Sequence, residues 1–274
     1  MLAVKILAGQ LRLPAGAQRR RENPFVLRRY VWLMVALCLL QTAVWAAGAP
    51  LRLAVGMAKP PYVEGNGSRG LEVDIVLAAL REAGISVQVQ QMPQARGLQS
   101  VLNGNVDAMI TLVPNAAPSL YFSRPVVQYR NRAITLASSH ITLNYLSDLS
   151  HYRVASFQNA TYLLGYGFSK AVESAPFYAE YADQETLNRL LFNKRADVVV
   201  GDEWVFHSYA TQASQSGMKA ELRTFELFDN EPRRVGFVSR SQRDAFDRAL
   251  LLLQKRGEIE RIHRYYQQKY RLQP

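Results

Sequence analysis

The chain has 274 residues, 49% of them hydrophobic, and a formal net charge of +11. That length is enough for one large domain or two ordinary ones, each with its own core. The basic balance invites a nucleic-acid or membrane-surface reading. However, residues 1–49 carry seven of the basic side chains against one acid, Glu22, so more than half of the excess lies in the first 49 residues. The single cysteine, Cys38, also lies there.

Those first residues read as a secretory leader. A basic stretch ends at Arg28-Arg29-Tyr30, Val31 to Leu40 is an almost unbroken apolar run, and the small residues Ala46, Ala47 and Ala49 come next. The apolar run is well short of the ~20 residues a spanning helix needs. Cleavage is expected after Ala46, because a cut after Ala49 would place Pro50 first. Pro24 and the long gap to the apolar run argue against a twin-arginine signal at Arg19-Arg20-Arg21, and Cys38 follows Leu37 rather than a small residue, against lipidation. The mature chain then has no cysteine, which excludes disulfides, thiolate metal sites and cysteine catalysis.

Along the mature chain, Leu51 to Val55 is a predicted strand that Lys59-Pro60-Pro61 breaks into a loop. A helix begins at Gly70, with Leu71, Ile75 and Ala78 or Ala79 at three- and four-residue steps and Gly84 at its end. Ile85 to Val89 is a strand, Gln94 to Leu102 a helix closed by Asn103-Gly104, and Val106 to Leu112 a third strand. Val126 to Ala137 gives further strand with a polar break at Gln128 to Arg132. A second series comes after it: strand Tyr152 to Phe157, helix Thr161 to Val172, strand Phe177 to Tyr181, helix Glu185 to Asn193, strand Ala196 to Val200 and helix Asp202 to Thr211. Such alternation predicts α/β units with mainly parallel sheets and right-handed crossovers. No repeat of fixed period is visible. A short strand at Val235 to Ser239 precedes two terminal helices. The first opens on a capping box, Ser241 to Asp244, and stops at Gly257; the second starts at Ile259.

The order of elements and six local motifs resemble the type II periplasmic solute-binding proteins, in particular the amino-acid-binding family 3. The motifs are Lys59-Pro60-Pro61-Tyr62, Gly70-Leu71-Glu72-Val73-Asp74-Ile75, Asn103-Gly104-Asn105-Val106-Asp107, Phe122-Ser123-Arg124-Pro125, the segment Ala196 to Asp202, and Gly257-Glu258-Ile259. The likeness covers about residues 50–270. It implies a two-lobed type II fold, each lobe a mainly parallel sheet flanked by helices, joined by a two-strand hinge that closes on a ligand. Lobe 1 would comprise residues 50–136 plus 234–274, lobe 2 residues 137–233, and the hinge strands would lie near Ile134 to Ser138 and Asn230 to Gly236.

The resemblance also nominates ligand residues. Asp202 would take a ligand ammonium group, with a helix N-cap as the competing role. Tyr62 would stack on the ligand at a strand exit, where open α/β sheets place ligands. Phe157, Asn159 and Thr161 lead from strand into helix, where backbone N–H groups favour an anion and a plain cap is the alternative. Asp74 and Thr111 complete the set, while Glu72 is read as a first-turn acid complementing the helix dipole. The pattern departs between Thr111 and Phe122: the family's carboxylate-binding arginine falls on Ala116. Arg96 is the nominated replacement, ahead of Arg69, Arg130 and Arg132. The four histidines are scattered without metal-ligand spacing, so no metal or cofactor is expected.

These residues imply a periplasmic receptor, not an enzyme, that captures a small polar molecule such as an amino acid or other small organic ion. It would act as a monomer for an ABC-type permease of the inner membrane, without nucleic acid. Two alternatives stay open on the same residues: a sensor domain that signals to a membrane partner, and a dehydratase-like enzyme using Glu64, Glu203 or Asp202 as a general acid.

Overall fold

The structure, a computed structural model, describes residues 49–215 and 220–272. The expected leader, with Cys38 and the expected cleavage position after Ala46, lies outside the described residues. From residue 51 onward the chain is organised by two sheets. In the first, β1 (Leu51–Val55) runs parallel between β2 (Val87–Gln91) and β3 (Ala108–Leu112). The late strand β11 (Glu231–Phe237) returns antiparallel to β3, with a bulge between Arg234 and Gly236. It also pairs with β4 (Tyr121–Phe122) and β5 (Val127–Tyr129).

In the second sheet, β7 (Arg153–Phe157) lies parallel between β8 (Phe177–Tyr181) and β9 (Val198–Asp202). Antiparallel to β9 runs β6 (Asn131–Leu136), which pairs in turn with β10 (Leu222–Phe225). This is the two-lobed, mainly parallel α/β architecture expected. Strand membership changes sheet between β5 and β6, so residues 131–136 belong to the second sheet. The crossing therefore falls earlier than the expected Ile134 to Ser138.

The helices follow from apolar periodicity. On the first sheet, α1 (Leu71–Glu82), α7 (Arg240–Lys255) and α8 (Glu258–Tyr270) cover a core of Leu53, Val55, Ile75, Val76, Phe237 and Phe246. In the second lobe, α5 (Glu185–Phe192) packs Leu187 and Leu191 against Ile134 and Val199. The next helix, α6 (Glu203–Gln215), straddles the two: Trp204 and Val205 join the first core, Phe206 and Ala210 the second lobe's.

Some boundaries differ from the sequence pattern for identifiable reasons. The helix expected over Thr161 to Val172 is two, α3 (Ala160–Leu163) and α4 (Tyr166–Glu173), because Gly165 between them has φ +86°. The cap of α7 is Ser239, whose hydroxyl accepts from the Gln242 N–H, rather than Ser241. Strands β4 and β10, two and four residues long, are too short to show a period.

An internal repeat emerges that no fixed period revealed. Arg52 donates its backbone N–H and its guanidinium to Asp107, and a further N–H to the Gly104 carbonyl. Arg153 makes the same set of bonds to Asp197 and the Lys194 carbonyl. Each arginine is at the start of its sheet's first parallel strand, β1 or β7, and each aspartate just before the third, β3 or β9. Both clamps therefore sit at the N-terminal edge of their sheet.

The loop 59–63 is held by reciprocal backbone bonds between Lys59 and Val63. Its carbonyls then cap α1: Pro61 O accepts from the Leu71 N–H at 2.7 Å and Tyr62 O from the Glu72 N–H at 3.2 Å. Helix starts leave such donors unsatisfied, and α1 lacks a side-chain cap, so the loop supplies one. Gly70 makes this approach possible. It has φ +130°, and a Cβ there would lie 2.2 Å from the Tyr62 carbonyl oxygen. Gly70→Ala should therefore destabilise the fold by about 3 kcal/mol or more. Gly84→Ala, at φ +71° with open space around it, should cost only about 1 kcal/mol. Urea unfolding of the two variants checks the order, and equal costs would refute this account of the loop.

Candidate functional site

The C-terminal ends of the parallel strands carry the candidate residues, as open α/β sheets require. Asp202 ends β9 and opens α6. Its Oδ1 accepts from the Val205 N–H at 3.0 Å, which is the N-cap role. Its Oδ2 accepts from the Arg130 N–H at 2.8 Å and lies 3.3 Å from the Tyr62 hydroxyl. One oxygen therefore caps α6, and the other joins the Arg130 N–H to the Tyr62 hydroxyl. Asp202 is 4% exposed and Tyr62 1%. Burial, the largest effect, raises the Asp202 pKa to about 6, against the donors from Val205, Arg130 and Tyr62 and the nearby Lys59 ammonium, which favour ionisation.

Aromatic rings build the walls. Tyr62 stacks on Tyr129 with centroids 4.4 Å apart and faces Trp204 at 6.4 Å. The Arg130 guanidinium lies 5.6 Å over Trp204, and His263 of α8 meets the same indole edge-on. Tyr129 ends β5 on the hinge, and carries two cations: Lys59 Nζ at 4.6 Å and Arg233 Cζ at 4.8 Å from its ring centre. Lys59 is half-buried by area, but protein encloses its ammonium. Burial pushes its pKa down to about 8, Arg233 adds to the fall, and Glu72 and Asp202 oppose it.

Glu72 corrects the sequence reading. It lies in the first turn of α1 as expected, but it is fully buried, and its carboxylate accepts from the Thr111 N–H at 2.8 Å and the Thr111 hydroxyl at 2.6 Å. These bonds hold Thr111 at φ 63°, a conformation that β-branched residues rarely adopt. Such backbone strain clusters at functional sites, where the surroundings over-determine it. Burial raises the Glu72 pKa, against the Thr111 hydrogen bonds and the Lys59 charge.

Among the nominated residues, the structure brings together Tyr62, Asp202 and, through Glu72 and Tyr129, Thr111. Asp74 stands apart: it accepts from the Tyr266 hydroxyl at 2.7 Å and pairs with Arg69 at 3.6 Å, tying α1 to α8. Arg96 is exposed near the start of α2 (Gln94–Leu102). Arg132 clamps the hinge, donating to the Asn131 carbonyl, Asn230 and Glu226.

Phe157 ends β7 beside β9. The backbone donors of Asn159 and Thr161 are engaged by the chain's own Glu180, at 2.6 and 2.9 Å. The Thr161 and Tyr178 hydroxyls donate to the same carboxylate. The acceptor expected there from a ligand is supplied internally.

Sequence reasoning missed Tyr129, Trp204, Arg233 and Glu180. Only alternation in the hinge strands, Val127/Tyr129 against Glu231/Arg233, could have pointed to the first and third. Among the described residues no group of three or more His, Cys, Asp or Glu could hold a metal ion, and no helix is long and apolar enough to cross a membrane.

Two mixed α/β lobes joined by paired strands, with a buried carboxylate and an aromatic wall at the strand ends, define a type II periplasmic-binding-protein fold. The chain belongs to the bacterial extracellular solute-binding proteins, family 3, whose model matches residues 51–269. Solved structures agree at the level of fold. A histidine kinase sensor domain with similarity to periplasmic binding proteins aligns with TM-score 0.67 at 16% identity, over 80% of this chain and 96% of that one. The amino acid ABC transporter substrate-binding protein AbpA of Streptococcus pneumoniae, bound to L-arginine, aligns at 0.63 and 17%, over 82% and 97%. The ancestral amino acid-binding protein AncCDT-1, a precursor of cyclohexadienyl dehydratase, aligns at 0.63 and 15%, over 79% and 94%. No curated protein matches the chain.

The raised Asp202 pKa has a definite consequence for stability. Between the ordinary value of 3.8 and about 6 the folded chain keeps a proton that the unfolded chain has released. The contribution is therefore present below pH 3.8 and lost as pH rises to about 6, at most about 3 kcal/mol. Asp202→Asn keeps an oxygen to accept from Val205 and removes the charge. Its melting temperature should be flatter than wild type across this window, although its amide nitrogen then faces the Arg130 N–H and lowers the whole curve. Melting curves from acid to neutral pH would read this, and a parallel fall in both proteins would refute the assignment.

Proposed function

We propose that this chain is a periplasmic receptor that captures a small polar solute and holds a cationic group of it at Asp202. The observation that carries the reading is Asp202 itself. It is a nearly enclosed carboxylate that joins the second lobe, the hinge through the Arg130 N–H and the first lobe through Tyr62. The Tyr62 contact is long for an O–H···O bond, so an ammonium or guanidinium that reaches Oδ2 would outcompete it. Tyr62, Tyr129 and Trp204 would then enclose the ligand's body, as aromatic walls favour a cation. Family membership and the basic leader with its short apolar run support export across the inner membrane. Delivery to an ABC-type permease by a monomer is the partner relation this supports best.

A sensor role is the second reading, favoured by the sensor-domain neighbour with TM-score 0.67. It uses the same cleft and differs only in what the closed form touches. The engagement of both Asp202 oxygens by fixed donors suits an electrostatic anchor and supports the choice of binding over turnover. Turnover of a bound solute by the purified protein would overturn that choice.

The test is thermal unfolding against amino acids, polyamines, dicarboxylates, aromatic acids and short peptides. A ligand at 100 times its dissociation constant adds about 2.7 kcal/mol, several degrees of melting shift. A shift with cationic solutes that Asp202→Asn abolishes is expected. A panel without any response, or a response indifferent to Asp202, would overturn the reading.

A further inference from the structure

Two buried donors beside the site make no hydrogen bond of good geometry among the described residues: the Arg233 Nε, and the Tyr129 hydroxyl, whose neighbour, the Thr111 hydroxyl, donates to Glu72 instead. Their residues are 5% and 7% exposed. Buried donors are rarely left unpaired, since each costs free energy comparable to a lost hydrogen bond. Here both belong to the hinge pair, on one face of the two-stranded ribbon: Val127 opposes Arg233 and Tyr129 opposes Glu231. Lys59 approaches the same Tyr129 ring from the first lobe. Two cations and two unpaired N–H and O–H donors therefore surround one side chain.

The acids nearby do not answer this need. Glu231 engages Arg233 through Nη2 and leaves Nε. Glu72 is engaged by both donors of Thr111. Asp202 takes Val205, Arg130 and Tyr62.

We propose that Lys59, Tyr129 and Arg233 form an anion subsite at the hinge that receives a carboxylate of the solute, so that the ligand is bound at both ends, anionic at the hinge and cationic at Asp202. The inference rests on the solute-binding reading and adds where the carboxylate goes. The second lobe offers no competing place at the start of α3, because Glu180 already takes the Asn159 and Thr161 donors. Nor does Arg96, exposed on α2, lie among these groups. A carboxylate accepting from Tyr129 and Arg233 beside the Lys59 ammonium would satisfy both buried donors with charge-assisted bonds.

The probe is sodium acetate, titrated against sodium chloride at constant ionic strength, with melting temperature as the readout on the purified protein. Acetate should raise the melting temperature of the wild type beyond chloride. Tyr129→Phe removes an unpartnered hydroxyl, so its ligand-free melting temperature should equal or exceed wild type while its apparent acetate affinity falls at least threefold. Arg233→Lys keeps the charge near Glu231 but loses Nε, and should weaken acetate likewise. Acetate acting no differently from chloride, or acting equally on all three proteins, would overturn the subsite. If a cationic solute still stabilises the protein through Asp202 in that case, the receptor reading stands without the subsite. If acetate responds as expected while no cationic solute does, the subsite stands and the Asp202 reading falls.

Discussion

One buried carboxylate constrains most of what the site does. Asp202 cannot leave its place without uncapping α6, because its Oδ1 holds the Val205 N–H. Water cannot hydrate its charge fully either, because the residue is nearly enclosed. The hinge strand is tied to it by the Arg130 N–H, and the Glu203 N–H returns to the Arg130 carbonyl. The end of β5 and the start of α6 are therefore locked as one unit, with Tyr129 and Trp204 carried on either side of Asp202. The positions of the aromatic walls are a consequence of satisfying one buried acid.

The same logic divides the two ends of each sheet. At the N-terminal edges, Arg52–Asp107 and Arg153–Asp197 are well-bonded, partly exposed pairs. The hydrogen bonds from each arginine hold Asp107 and Asp197 below the usual carboxylate range. Their contribution to stability is present above the ordinary aspartate pKa and lost only as pH falls below it. Solvent screening keeps that contribution small. At the C-terminal edge, burial moves Asp202 and Glu72 the opposite way. The chain thus keeps favourable charge where it only holds strands together. It tolerates unfavourable charge where the two lobes meet, as sites that trade stability for binding do.

Much of this architecture was legible in the sequence, and the parts that were not share a cause. Strands such as Leu51–Val55 and Phe177–Tyr181 and the helix Gln94–Leu102 announce themselves by periodicity, because each buries one face against a core. Tyr62 and Asp202 were legible from local motifs at strand exits. Glu72 was not, since nothing in a first-turn glutamate says that Thr111, 39 residues away, will donate to it twice. Glu180 was invisible for the same reason: its partners are on the next strand's exit, and only the β7–β8 register brings them together. Arg233 lies in an expected hinge strand, but only the register of β11 against β5 puts it on the face of Tyr129. Local pattern reveals elements; the partners of buried polar groups are set by register between elements distant in sequence.

The proposed subsite makes the hinge part of the binding surface and not only a connector. Hinge strands must change dihedrals on opening, so a polar group placed there is exposed when open and enclosed when closed. A carboxylate bound to Tyr129 and Arg233 would be desolvated together with the Tyr62–Tyr129 stack, and only in the closed form. That arrangement gives the ligand a differential affinity for closure, which a contact made equally in both forms cannot supply. With both ends of the proposed ligand held where the lobes approach, recognition and closing would become a single event, and the unpaired donors at the hinge are the cost the ligand-free protein carries for it.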